Sequence, residues 1–171
     1  MAIRRICLFP EAVLSRPSRP VREFGRGLKT LAVDLIDTLL ASPGVGLAAP
    51  QIGAGDRLAV VDVSLRPLKK KGGDSKDHGR LILVNPVLLE AGGVQEPREG
   101  CLSVPDLLAN VRRFQSVTVQ AQDLDGKDFV IRAEGFEALA LQHEIDHLDG
   151  TLFLDRVSNL KTDLFRRKSN P

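Results

Sequence analysis

Two of the three histidines in the chain stand four residues apart, as His143 and His147, with Glu144 directly after the first. Residues four apart share one face of an α-helix, so the two imidazoles can hold one metal ion while Glu144 reaches a bound water. The surrounding residues are mostly apolar, namely Phe136, Leu139, Ala140, Leu141, Ile145 and Leu148. A helix that is apolar on most faces is buried, and a buried His pair beside a Glu is costly without a compensating charge. The alternative is a core helix whose histidines are only hydrogen-bonded.

The helix alone does not supply a third ligand. Metalloproteases with this motif take a third ligand downstream, but Phe153 occupies the position of a third His. No Met follows Met1 to form a methionine turn, and no Glu follows Glu144. Asp149 and Asp155 remain formally available downstream. The sequence therefore does not match the usual patterns of these proteases.

The two cysteines lie upstream in different surroundings. Cys7 lies between Ile6 and Leu8, an apolar setting typical of a small buried side chain. Cys101 lies in the segment 99–103, where Gly100 and polar neighbours suit a presented thiolate. One thiolate and two imidazoles leave a fourth position open, which is the pattern of a catalytic rather than a structural site. We predict that Cys101 is a ligand and that Cys7 belongs to the core.

Hydrophobic periodicity predicts an α+β fold. Leucines recur at helical spacing from Leu28 to Leu39, and a second helix is predicted over 134–148. Strands are predicted over 58–63, 81–89, 116–122 and 129–132, the last two joined by a turn at Asp125-Gly126. Pro86 indicates a break or a sheet edge in the second of these strands. Residues 161–168 are predicted to form a short basic helix. Residues 64–80 are predicted to be a solvated loop or an insertion that connects strands.

Composition excludes several classes of protein. Lys and Arg number 24 against 22 Asp and Glu, and Trp and Tyr are absent, so a general nucleic-acid binder is not expected. No apolar run approaches the roughly 20 residues that span a bilayer. Two cysteines form no disulfide framework, and the first ten residues lack the features of a signal peptide. We expect a cytoplasmic protein with a single domain over 1–171.

Three motifs together resemble those of one family, the peptide deformylases. They are Gly44-x-Gly46-x-Ala48-x-x-Gln51, Glu99-Gly-Cys-Leu-Ser103 and Gln142-His-Glu-x-Asp-His147, in that family's order and approximate spacing. The similarity extends from about Ile3 to Phe153. It implies mixed antiparallel β-sheets surrounding a central metal-binding helix, in one catalytic domain with a short basic C-terminal segment.

The resemblance also implies a reaction, which is hydrolysis of the N-formyl group from the initiator Met of nascent polypeptides, with release of formate. It assigns three metal ligands, Cys101, His143 and His147. A metal-bound hydroxide would attack the formyl carbon, with Glu144 as general acid and base. The side-chain amide of Gln51 and the backbone N–H of Leu102 would donate to the formyl oxygen. A scaffold without turnover would be expected to have lost Glu144, Cys101 or Gln51, and all three are present.

Further residues are implied as substrate-binding, namely Val45, Gly46, Glu99, Gly100, Phe136, Leu139 and Ala140. Core packing is the alternative for the apolar members of this set, and a glycine turn is the alternative for Gly46. Glu99 and Arg113 also match a buried ion pair of the family, and this pair would stabilise the strand of Cys101. Leu108 stands where bacterial relatives often carry a basic residue near the peptide-binding edge.

Cofactor and partners follow from the same resemblance. One divalent ion is implied, with Fe²⁺ expected in the cell and Zn²⁺, Ni²⁺ or Co²⁺ as alternatives in purified protein, because the ligand set does not select among them. The partners would be N-formyl-Met nascent peptides and the ribosome. Contact with the ribosome would be made by the basic C-terminal segment, and the alternative for this segment is a solvated tail without a partner. Neither DNA nor a membrane is expected as a partner.

Overall fold

Two antiparallel β-sheets and two α-helices form most of the regular structure in the computed structural model, which describes residues 2–66 and 77–167. The helices are α1 (Arg26–Leu40) and α2 (Gly135–Leu148). The strands are β1 (Gly46–Ala48), β2 (Leu58–Val61), β3 (Leu81–Gly92), β4 (Arg98–Cys101), β5 (Val104–Asn110), β6 (Ser116–Gln122), β7 (Asp128–Glu134) and β8 (Leu164–Arg166). The predicted α+β class is confirmed. Neither described helix is long and apolar enough to cross a membrane.

Helix α2 packs against the larger sheet, whose strand order is β1-β2-β3-β6-β7. One face of α2 places Leu141 and Ile145 in an apolar cluster with Val119 and Ile131 of strands β6 and β7. Helix α1 packs against β1 and β2 through a second, separate cluster, which contains Leu35 and the other leucines of its predicted stripe. The smaller sheet has the order β4-β5-β8. This arrangement makes α2 a buried helix, as its apolar sequence predicts.

Strand β3 is interior to the larger sheet, so the prediction of an edge at Pro86 is wrong, whereas a local break is present. The pairing of β3 with β6 shifts register between Val84 and Val87. Asn85 has a φ of 51°, and its side chain bonds both the N–H and the carbonyl of Val21. Proline cannot donate to a β-ladder, and a bulge is one of the few interior positions that tolerate it.

The C-terminal segment corrects a second prediction. Residues 161–168 are predicted to be helical, but Leu164–Arg166 forms β8 and pairs with β5, another strand that periodicity does not predict. The guanidinium of Arg98 stacks over the ring of Phe165 at 4.0 Å from its centroid, which secures this edge. A cross-strand contact of this kind depends on tertiary structure and outweighs local helix propensity. Lys168 and residues 67–76 of the predicted loop lie outside the described residues.

Helix α2 ends where the N-terminal segment crosses it. The carbonyl of Leu148 accepts a hydrogen bond of 2.8 Å from the N–H of Ser18. Gly150 follows with a φ of +73°, and a Cβ there would lie 2.7 Å from the carbonyl carbon of Arg16 and 2.9 Å from the nitrogen of Pro17. Both neighbours are backbone atoms, so neither can move aside by rotating a side chain. Glycine is required here for conformation and for space.

Gly150→Ala should therefore lower the free energy of unfolding by at least about 3 kcal/mol, since a left-handed conformation and backbone overlap both oppose the added methyl group. Gly79 is the matched control, because it has a φ of +67° but no atom of the described residues within 4 Å of the position that a Cβ would occupy. Gly79→Ala should cost only about 1–2 kcal/mol. Urea unfolding followed by circular dichroism measures the free energy of unfolding of both variants. Equal losses would contradict the claim that overlap with the backbone of Arg16 and Pro17 adds to the cost at Gly150.

Candidate active site

Two elements bring the predicted metal ligands together. Cys101 lies at the end of β4, whereas His143 and His147 lie one helical turn apart on α2. One ligand atom from each of these residues lies within 4.8 Å of the others. Cys101 and His147 are buried and His143 is nearly so. The structure thus assembles from distant segments the cluster that the sequence predicts.

Cys101 is presented by a bulged connection between β4 and β5. Gly100 pairs with Leu108, but the register then shifts and Cys101 pairs with Val104. Inside this tight connection the N–H of Ser103 points at Cys101 Sγ, at 3.4 Å. A backbone donor at this distance stabilises negative charge on sulfur. The local geometry therefore turns the sulfur towards α2, with a backbone donor beside it.

His143 is oriented by a buried carboxylate. Its Nδ1 lies 2.9 Å from Glu99 Oε2, and Glu99 in turn receives two bonds from Arg113, of 2.6 and 2.9 Å. Burial raises the pKa of Glu99, but hydrogen bonds from Arg113 and His143 bring it below its ordinary value. Glu99 is therefore ionised and holds the Nδ1–H of His143, which leaves Nε2 for a metal.

The two imidazoles experience opposite electrostatic environments. Burial lowers the pKa of His143, but hydrogen bonds with Cys101 and Glu99 raise it well above its ordinary value. Burial and the neighbouring His143 lower the pKa of His147 well below its ordinary value. His147 is thus neutral, and its Nε2 lies 3.1 Å from Cys101 Sγ. Phe153, in the position of a third His, is buried and stacks on the His143 ring at a centroid distance of 6.2 Å.

Glu144 is buried beside this cluster without a protein partner for one of its oxygens. Burial raises the pKa of its carboxyl group to about 7. Among the described residues, Oε2 has no hydrogen-bond partner. A Cβ on Gly46 would overlap Oε1, Cδ and Cγ of Glu144. The motif glycine therefore provides the space in which the carboxyl group lies, a reason for Gly46 that spacing alone does not reveal.

These residues fit a divalent metal ion. A thiolate and two imidazoles are typical ligands of Zn²⁺, Fe²⁺, Ni²⁺ and Co²⁺. The unpartnered Glu144 oxygen beside them is costly to bury unless a bound water or another group meets it. A cation at the centre of the three ligands would stabilise the ionised forms of Cys101 and Glu144.

Gln51 points its amide nitrogen at the same centre. It lies in a short 3₁₀ turn over Ala49–Ile52, where its Oε1 accepts a bond of 2.8 Å from the N–H of Ala48. This contact fixes the orientation of the amide group. The Nε2 atom then faces Ser103 Oγ at 3.2 Å and Cys101 Sγ at 3.6 Å. Gln51 is fully buried and has the position of a hydrogen-bond donor to a bound ligand.

The remaining predicted residues lie around this centre in different ways. Leu102 is half-buried and packs against the cluster of α1, whereas Val45 and Ala140 share the cluster of α2. Leu139 is buried, and Phe136 is half-buried beneath the guanidinium of Arg66, which lies 4.1 Å from the ring centroid.

Glu99 and Gly100 flank the ligand Cys101 in β4. The Glu99 carboxylate is occupied by Arg113 and His143, as expected of the ion pair, so a contact with substrate would fall to its backbone. At Gly100 a Cβ would overlap the side chains of Leu108 and Arg167.

Four residues at or near the site were not assigned a role from the sequence. Ser103 and Asp146 lie within the quoted motifs, so motif membership could have signalled them. Arg66 and Arg156 reach the site region through tertiary contacts and have no local signal. Asp146 accepts bonds from both Arg113 and Arg156.

Comparisons with known proteins agree with this geometry. A family model described as polypeptide deformylase matches residues 3–163. A peptide deformylase of Acidobacterium capsulatum is 45% identical over 168 residues, covering 98% of this chain and 94% of the relative. Peptide deformylase 1 of Bacillus subtilis is 45% identical over 163 residues, covering 95% of each.

Solved structures give the same result. The crystal structure of a peptide deformylase from Legionella pneumophila superposes with a TM-score of 0.83 at 44% identity, covering 94% of this chain and 89% of that one. A peptide deformylase structure from Thermotoga maritima gives a TM-score of 0.82 at 34% identity, with coverage of 93% and 100%. The resemblance carried by the three motifs is confirmed, and the chain belongs to the polypeptide deformylase family.

Proposed function

We propose that this metal-dependent deformylase removes the N-formyl group of nascent polypeptides with Glu144 as its proton-transfer group and Gln51 as a donor to the formyl oxygen. The observation that carries the proposal is the position of Glu144, a buried carboxyl group with one unpartnered oxygen next to Cys101, His143 and His147. A pKa raised to about 7 suits a group that both accepts and returns a proton near neutral pH.

The substrate peptide binds as an added strand. Within the described residues, β1 lies at one edge of the larger sheet and β4 at one edge of the smaller sheet. These edges carry Gly46, beside Glu144, and Gly100, next to Cys101. An extended peptide that pairs with an exposed edge is held by its backbone, and side-chain pockets then select its residues. Such pairing tolerates many sequences after the first residue.

The pocket for the formyl-Met side chain is formed by Val45, Phe136, Leu139 and Ala140. Val45 and Ala140 belong to one apolar cluster, and Phe136 offers an incompletely buried ring at the start of α2. An unbranched thioether side chain fits such an irregular apolar surface. A pocket of this kind would favour Met as the first residue of the substrate.

The residues of the centre divide the work of hydrolysis. A divalent ion held by Cys101, His143 and His147 would act as a Lewis acid and lower the pKa of a water. Glu144 accepts the proton of the attacking water and then donates it to the leaving amine. Negative charge develops on the formyl oxygen, where the Gln51 Nε2–H and the Leu102 N–H donate hydrogen bonds. Loss of one such donor typically lowers kcat by about 100- to 1000-fold.

Metal identity, compartment and ribosome contact are further parts of the proposal. The physiological ion is Fe²⁺, and the ligand set also accepts Zn²⁺, Ni²⁺ or Co²⁺. Two unpaired, buried cysteines suit the reducing cytoplasm, where nascent chains are made. Arg166 and Arg167 are exposed at the end of β8 and suit contact with the phosphates of the ribosome.

Glu144→Gln should abolish the proton transfer while keeping the shape of the side chain. We expect formate release from an N-formyl-Met peptide to fall by about 100- to 10,000-fold, with metal content unchanged. Glu137→Gln is the matched control, because Glu137 is also buried on α2 but pairs with His78 away from the centre. A Glu144→Gln enzyme with more than about a tenth of wild-type activity would contradict this role.

Gly46→Ala tests the space that the glycine leaves for Glu144. The new Cβ overlaps the Glu144 carboxyl group, so we expect kcat to fall by at least about 10-fold while the metal remains bound. Gly92→Ala is the control, since its Cβ in β3 meets only Ser116 Oγ, at 3.2 Å. Steady-state kinetics and metal analysis of both variants measure the effect. Unchanged kcat in Gly46→Ala would show that the position of Glu144 is not constrained by this contact.

Cys101→Ser tests the ligand set independently of turnover. Changes outside the ligands themselves typically weaken metal binding by about 10- to 100-fold, so the loss of a thiolate ligand should weaken it further. In Co²⁺-loaded protein we expect the sulfur-to-cobalt absorption band to disappear. The equally buried Cys7 gives the control, because Cys7→Ser should keep both band and affinity. Retention of the band in Cys101→Ser would exclude this cysteine as the ligand.

A further inference from the structure

An unbroken series of ion pairs connects the protein surface to a metal-ligating imidazole. At its inner end His143 Nδ1 bonds Glu99, and Arg113 bonds Glu99 through Nε and Nη2. The third guanidinium nitrogen of Arg113, Nη1, donates to Asp146 Oδ2 at 2.6 Å. At the outer end Arg156 donates to both oxygens of Asp146 through Nε and Nη2. We call these five residues the ion-pair series.

Arg156 differs from the inner members in its exposure. The side chains of Glu99, Arg113 and Asp146 are only 2%, 2% and 6% exposed, whereas that of Arg156 is 46% exposed. Arg156 therefore lies at the boundary with solvent and can be changed without leaving a cavity in the core.

Arg156 also balances the charges of the series. Glu99 and Asp146 are two carboxylates, and among the described residues Arg113 is the only buried guanidinium between them. Without Arg156, Arg113 would be the one guanidinium left for both carboxylates, and an incompletely compensated buried charge on Asp146 is strongly unfavourable. With Arg156, each carboxylate accepts two hydrogen bonds from a guanidinium. Asp146 is then satisfied without drawing Arg113 away from Glu99.

We propose that Arg156 is a positioning residue of the metal centre, which holds His143 in its ligating orientation through Asp146, Arg113 and Glu99. Planar guanidinium groups fix both distance and angle when they bind a carboxylate through two nitrogens. Asp146, anchored in this way, keeps the plane of Arg113 aligned with Glu99. Glu99 then remains the acceptor of the Nδ1–H of His143, and Nε2 stays directed at Cys101 and His147.

Removal of Arg156 leaves Asp146 with a single donor. A buried carboxylate in that state draws in water or competes with Glu99 for Arg113, and either change loosens the hold on His143. The metal ion should then dissociate faster, although no ligand has been changed. The proposal rests on the ligand assignment made above, which Cys101→Ser tests separately.

The experiment compares Arg156→Gln with Arg156→Lys in Co²⁺-loaded protein. Release of Co²⁺ to a chelator should be about 10-fold faster in Arg156→Gln, the size typical of contacts one step beyond the ligands. Arg156→Lys keeps the positive charge but not the two guanidinium nitrogens that bind Asp146. Its rate of Co²⁺ release should therefore lie between those of the wild type and Arg156→Gln. The cobalt d–d spectrum should shift in Arg156→Gln, and kcat should fall with little change in KM, since Arg156 bonds Asp146 and none of the residues proposed to bind the peptide.

Arg57→Gln is the matched control. Arg57 also binds the C-terminal end of α2, through Asp149 at 2.6 Å, but among the described residues it makes no hydrogen bond or ion pair with the ion-pair series. Both variants should lower the melting temperature, and only Arg156→Gln should change metal release. Equal release rates in Arg156→Gln and wild type, or equally fast release in Arg57→Gln, would overturn the proposal. Failure of Cys101→Ser to lose the cobalt band would instead overturn the ligand assignment.

Discussion

The burial of charged groups along helix α2 is the constraint on which the rest of the structure depends. Glu144 and Asp146 enter the apolar core on this helix, and Glu99 faces it from β4. A buried charge must be paired, hydrogen-bonded or neutralised. Arg113 forms ion pairs with Glu99 and Asp146, whereas Glu144 Oε2 has no hydrogen-bond partner among the described residues. The fold therefore satisfies the carboxylates that support the site and leaves unsatisfied the one that we propose as its proton-transfer group.

Close approach of backbone segments fixes the position of α2 as firmly as apolar packing does. Gly46 brings β1 against the Glu144 side chain, and Gly150 lets the chain pass Arg16 and Pro17 directly after the helix. A methyl group at Gly46 would displace the Glu144 carboxyl group, and one at Gly150 would push the N-terminal segment away from the end of α2. Because interiors are densely packed, a small displacement of α2 would move both imidazoles relative to Cys101. The glycines near the site are thus part of its geometry even where they touch no substrate.

Local patterns in the sequence predicted the site better than they predicted the sheets. The spacing of His143 and His147 is a property of one helix, so one helical turn was enough to place both ligands. Strand β8 depends on pairing with β5 and on the stacking of Arg98 over Phe165, contacts between residues far apart in the chain. The charge-rich sequence around β8 instead suggested a helix. Arg156 was missed for the same reason, since nothing near it in sequence points to its role.

The two cysteines show how surroundings rather than burial decide function. Both are 5% exposed. Burial raises the pKa of Cys7 and keeps its thiol protonated, whereas Cys101 receives the Ser103 N–H and faces two imidazoles. Cys7 nevertheless supports the site through its backbone, because its N–H donates to the carbonyl of Gln51 at 2.7 Å. This bond ties the N-terminal segment to the turn that carries Gln51, so the cysteine outside the Cys101, His143 and His147 cluster helps to hold the amide group that faces this cluster.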